Sequence, residues 1–124
     1  MATNILILPL AQVTVTTGNN EDWIDSFQFV QDDEITPVEL TGIAFSMEVR
    51  HLSSDNEVWV RGSTDDGLLS VGGSGDSFLL ISIPYEMMKE VAPDDYVGDI
   101  VADADGVKRV VVQLAITVFQ GITR

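Results

Sequence analysis

The chain has 124 residues, enough for one domain whose core needs no covalent staples. Its 45% hydrophobic content and mean hydropathy of +0.21 exclude general disorder, and with no cysteine there is neither a disulfide framework nor thiolate chemistry. Twenty acidic against six basic side chains give a net charge of −14, a surface that repels phosphate and so disfavours nucleic acid and anionic membranes as partners. That charge serves solubility and also suits a basic partner.

Taken in order, the chain opens on Asn4 to Leu10, an apolar β-type run broken by Pro9. Proline cannot donate to a ladder, so this is read as an edge strand or arm, set apart over residues 1–11 from a domain over 12–124. The run is too short for a signal sequence and lacks a basic start, and no stretch reaches membrane-spanning length, so the product is expected to be soluble and without a leader. Gln12 to Thr17 alternates as a half-buried strand before a turn at Gly18-Asn19-Asn20. Trp23 to Val30 is a second strand, in which Asp25 shares the parity of Trp23, Phe27 and Phe29. After an acidic loop, Ile43 to Arg50 alternates cleanly, with Ile43, Phe45, Met47 and Val49 facing inward.

Glu57 to Arg61 reads as a short strand with Val58 and Val60 inward and Trp59 on the opposite parity. Leu68 to Val71 is a weaker strand, Gly72 to Gly75 a flexible connection, and Phe78 to Ile83 another strand. Pro84 to Val91 is a helix of about two turns, opened by one proline and ended by Pro93. The longest β signal comes last. Tyr96 to Ala102 and Arg109 to Phe119 form a hairpin around Asp103-Ala104-Asp105-Gly106, with Val110, Val112, Leu114, Ile116 and Val118 on one face. A strand that long belongs in the middle of a sheet. Seven to nine short antiparallel strands at intervals of roughly 8–12 residues, with one short helix, indicate an all-β sandwich.

The residues offer little chemistry. His51 is the chain's one histidine, at a strand end, with no second imidazole or thiolate to complete a zinc site. No serine lies in a nucleophile elbow, and Gly72 to Gly75 lacks the lysine and helix of a phosphate loop. Adjacent acids such as Asp65-Asp66 point different ways on an extended chain, which argues against a catalytic pair. Asp103 and Asp105 match the start of a calcium loop but lack its distal glutamate; turn chemistry already explains them, and no cofactor is expected beyond a weak calcium site there. Trp59 is a candidate anchor for a partner or a sugar ring, or packs beneath a loop.

The sequence Glu39-Leu40-Thr41-Gly42 leading into the alternating strand that ends at Arg50, then Pro93 and Tyr96-Val97-Gly98-Asp99 opening a hairpin that closes near Ile122-Thr123-Arg124, resembles the small immunoglobulin-like β-sandwich domains of tailed-bacteriophage structural proteins, including upper-baseplate and fibre-attachment proteins. There, "[D/E]LTG" precedes an alternating strand and "P-G-x-Y-x-x-D" opens the closing hairpin. Asp94-Asp95 stands where glycine is usual. The resemblance implies a non-enzymatic virion building block of tail, baseplate or fibre attachment, made in the host cytoplasm and assembled with copies of itself and other virion proteins. Ile5, Leu6, Ile7, Leu8, Leu10 and Trp59 are then the candidate contact residues. A capsid decoration protein and a carbohydrate- or calcium-binding module remain the alternatives.

Overall fold

The computed structural model describes residues 2–7, 11–30, 36–52 and 55–123. Nine strands form two sheets: β1 (Ala2–Ile7), β2 (Ala11–Gly18), β3 (Trp23–Val30), β4 (Ala44–Arg50), β5 (Val60–Ser63), β6 (Leu69–Gly72), β7 (Phe78–Ile83), β8 (Asp94–Ala104) and β9 (Val107–Phe119). One sheet has the order β1-β3-β7-β6 and the other β2-β9-β8-β4-β5. The fold is the expected all-β sandwich, and β9 lies inside its sheet.

The hairpin of β8 and β9 forms around two residues, Asp105 and Gly106, with φ of +53° and +81°. Positive φ at both positions matches the twist of the flanking strands, and glycine takes it without a Cβ clash. The strands therefore run closer to the turn than expected, to Ala104 and from Val107. The expected single-parity face of β9 is interrupted. Between Ile100 and Val101 the register shifts, so that Ile100 pairs with Val112 and Val101 with Val110. This bulge turns Val111 inward and leaves Val110 40% exposed, the reverse of what strict alternation requires.

Two strand pairings are parallel rather than antiparallel: β1 with β3, and β2 with β9. Both involve the first strands of the chain, added at the rims of otherwise antiparallel sheets. Other differences are local. The helix is one turn, Tyr85–Met88, because Pro84 stands at its N-cap and the chain turns again from Lys89. Asp22 receives the Tyr85 N–H at 2.6 Å, which the cap itself leaves unpaired. Trp59 precedes β5 instead of lying within it. The Gly72 to Gly75 connection contains a 3₁₀ turn, Ser74–Asp76.

The core sits between the sheets. Phe27, Phe29, Leu79, Ile81 and Ile83 face Phe45, Met47, Val49, Ile100 and Val112, all buried, and the rings of Phe29 and Phe45 meet at 6.2 Å across the layers. Asp25, on the core parity, is half-buried and accepts the Trp23 indole N–H at 2.9 Å. Buried Asn19 ties three segments together: its amide donates to the Val91 carbonyl at 3.2 Å, and its Oδ1 accepts the Gly121 N–H at 3.0 Å.

Asn19→Ala should therefore cost about 2 kcal/mol, since it strands a buried N–H and a carbonyl. Gly106→Val should cost roughly 1–2 kcal/mol from the left-handed turn alone. Urea unfolding followed by tryptophan fluorescence reads both; two unchanged midpoints would contradict this account of the turns.

Candidate functional site

The residues singled out in the sequence do not converge. Ile5, Leu6 and Ile7 lie in β1, in register with Gln28, Phe29 and Val30 of β3, so that part of the leading run is an edge strand on its own chain. Leu8 and Leu10 fall outside the described residues. Trp59 lies just before β5, which forms the far rim of the other sheet.

Trp59 is half-buried rather than presented outward. Its N–H donates to the Val49 carbonyl at 2.8 Å, and its ring meets Tyr96 edge-on at 5.8 Å. The other side of this small cluster is His51, whose ring lies 5.5 Å from that of Tyr96 and whose Nε2 is 2.8 Å from Asp94 Oδ2. His51 is thus a strand-end residue with a carboxylate partner. The Asp95 N–H, and then His51, hold the Asp94 carboxyl below the usual range. Tyr96 is fixed from below as well: its hydroxyl donates to the Ala92 carbonyl, four residues upstream, at 2.6 Å. Burial, followed by the charges of Asp94 and Glu57, pushes its ionisation above that of a free phenol.

Asp103 pairs in register with Ala44 and Lys108, while Asp105 occupies the turn. Among the described residues no three acidic, histidine or cysteine side chains are grouped to hold a metal ion. The positive φ at Asp105 is what the hairpin asks of that position.

One feature was not drawn from the sequence. The solvent face of the five-stranded sheet carries a broad depression of ≈ 930 Å³, lined among others by Gln12, Thr14, Glu48, Arg50, Asp99 and Gln113. Register places five polar side chains in one transverse row: Gln12, Gln113, Asp99, Glu48 and Arg61. Gln12 donates to Gln113 at 3.3 Å; Glu48 pairs with Arg50 at 2.6 Å and Arg61 at 3.3 Å, and the Arg50 hydrogen bond dominates in holding its carboxyl low. Arg50 also donates to the Asp55 carbonyl. The Asp99 side chain has no hydrogen-bond partner among the described residues, and burial, then the neighbouring Glu48 charge, pushes its carboxyl up. Each member is an outward residue of an alternating strand, so the signal was in the sequence. The row exists only once the registers are known.

These features define a two-layer β protein whose five-stranded sheet carries a polar row across its outer face. No protein-family model and no curated protein sequence matches the chain. Among solved structures it is similar to the N-terminal domain of phage TP901-1 ORF48, with a TM-score of 0.52 and 11% identity over 96% of this chain and 99% of that one. The likeness is one of fold across essentially the full length of both.

Asp99 gives a prediction with a definite sign. A carboxyl whose folded value is raised binds its proton more tightly in the folded state, so it favours folding below the unfolded value and loses that contribution as pH rises through the folded one. Asp99→Asn should therefore raise the melting temperature at pH 7, by an amount worth no more than about 1 kcal/mol at a half-buried, solvent-screened site. The gain should shrink as pH falls into the ordinary aspartate range; a gain that grows with acid would contradict the assignment. Tyr96→Phe should cost about 1 kcal/mol through the lost bond to Ala92, read by urea titration.

Proposed function

We propose that this chain is a non-enzymatic structural protein of a bacteriophage particle, a tail, baseplate or fibre-attachment component that works by protein–protein contact. The observation that carries the reading is the end-to-end correspondence of fold with a phage protein domain. The motif-level resemblance in Leu40-Thr41-Gly42 and in the segment from Pro93 through Tyr96 to Asp99 supports the same reading. The bond from Tyr96 to Ala92 supports the immunoglobulin-like assignment, since a tyrosine near the start of a late strand bonding backbone a few residues upstream recurs in such sandwiches. The partners in this reading are other virion proteins and copies of the chain, the particle is its location, and the leading segment acts through β1, the rim strand of the four-stranded sheet. The ring of Trp59 is engaged by Tyr96, which favours an architectural role for it over a sugar platform.

Mass spectrometry of purified particles should find the chain in fixed stoichiometry with known tail proteins, and antibody labelling should mark the tail. Label on the head shell would favour a decoration protein instead. Complete particles that lack the chain would end the virion reading. Removing residues 1–10 should leave the strand-type circular dichroism spectrum intact and reduce incorporation into particles.

A further inference from the structure

All twenty-six charged side chains of this protein lie after residue 20; the first twenty residues contain none. That stretch supplies two of the four sheet rims, β1 on one sheet and β2 on the other. The other two rims are short: β5 and β6 have four residues each, and β5 carries Arg61. Sheet rims are normally blunted by charge, proline, bulges or brevity, because unpaired N–H and C=O groups invite another strand. β2 has no charged residue, proline or bulge of its own, and Glu21 caps its C-terminal end alone, accepting the Gly18 N–H at 3.2 Å and the Thr17 hydroxyl at 3.3 Å. It runs eight residues, AQVTVTTG, in unbroken register with β9, and no strand of the described residues pairs with its other side.

We infer that the open rim of β2 is a self-association seam, where β2 of a second copy of this chain adds antiparallel about a two-fold axis at Thr14, joining two five-stranded sheets into one. The sequence is self-complementary about that residue. Thr14 meets its own copy, Val13 meets Val15, Gln12 meets Thr16 and Ala11 meets Thr17. Inward residues pair with inward ones and exposed Gln12, Thr14 and Thr16 share the outer face, as a two-fold seam requires. Valine–valine and threonine–threonine pairs across strands are favourable. The charge pattern selects the same occupant. Two copies at −14 each repel over most of their surface, whereas β2 contributes no charge of its own to the contact, Glu21 lying at its C-terminal end on Thr17 and Gly18 and not at its centre.

The inference names a surface within the structural role proposed above, and its test does not use particles, so the two can fail separately. The chain has no cysteine, so single substitutions report cleanly. Residues directly opposite across an antiparallel pair have Cα atoms about 4.5–5.5 Å apart, within disulfide reach. Under mild oxidation Thr14→Cys should form a covalent dimer at least about tenfold faster than Ser46→Cys, an exposed control on β4 of the same face. Sedimentation equilibrium of the unmodified chain should show a reversible dimer, weakened more than about tenfold by Thr14→Lys, which sets two ammonium groups against each other. Circular dichroism confirms that the lysine variant is folded; if it is not, the cross-linking comparison decides. Equal cross-linking at the two positions, or a dimer indifferent to the lysine, would overturn the seam.

Discussion

The pairing of β8 with β9 is the constraint from which the larger sheet follows. Its two-residue turn sets the register as far as Val101, the bulge then puts Ile100 opposite Val112, and the rest of the sheet grows outward from this pair, β2 on β9 and β4 on β8 with β5 beyond it. β4 joins β8 with Met47 against Ile100, and β2 joins β9 with Val13 against Leu114. A slip of one residue would send the inward rows to solvent, so the turn and the core specify the same arrangement. The bulge after Ile100 is the point where strict alternation gives way. It adds twist and lets the hairpin run on toward its exposed turn without carrying an apolar stripe along one face.

Close packing alone does not hold the ends of the sandwich; two polar tethers do. Asn19 binds the carbonyl at Val91, after the helix, and the N–H of Gly121, after β9. A Cβ on Gly121 would lie 1.9 Å from Asn20 Cγ, so the final turn can close here only on glycine. Tyr96 does the same between β8 and the segment before it, with His51 and Trp59 stacked around its ring. The aromatic cluster is thus part of the fold's mechanics, which is why a tryptophan that looks exposed on parity is half covered.

Periodicity made most strands legible: β3, β4, β7 and the closing hairpin all show it plainly in their side chains. It failed where a backbone irregularity or a tertiary neighbour decided the outcome. Val110 and Val111 exchange places because of a bulge that no side-chain pattern announces. The helix is shorter than its propensity because Pro84 is a cap and the chain turns at Lys89. The parallel partners of β1 and β2 could not be read, since pairing between strands that are not neighbours in sequence is a property of assembled sheets. For the same reason the row from Gln12 to Arg61 was invisible, although strand alternation puts each member on the outer side.

The distribution of charge connects fold and role. On the polar outer face Asp99 is pushed up by burial and by Glu48, and Glu48 itself is held by two of the chain's six cations. Such a surface is under repulsive load from its own acids, and a second copy brought against it would add to that load. Contact between copies is therefore least opposed where the load is absent, along the uncharged strands that begin the chain. If copies meet at the seam inferred above, repulsion over the acidic faces rejects wrong orientations while a neutral rim admits one.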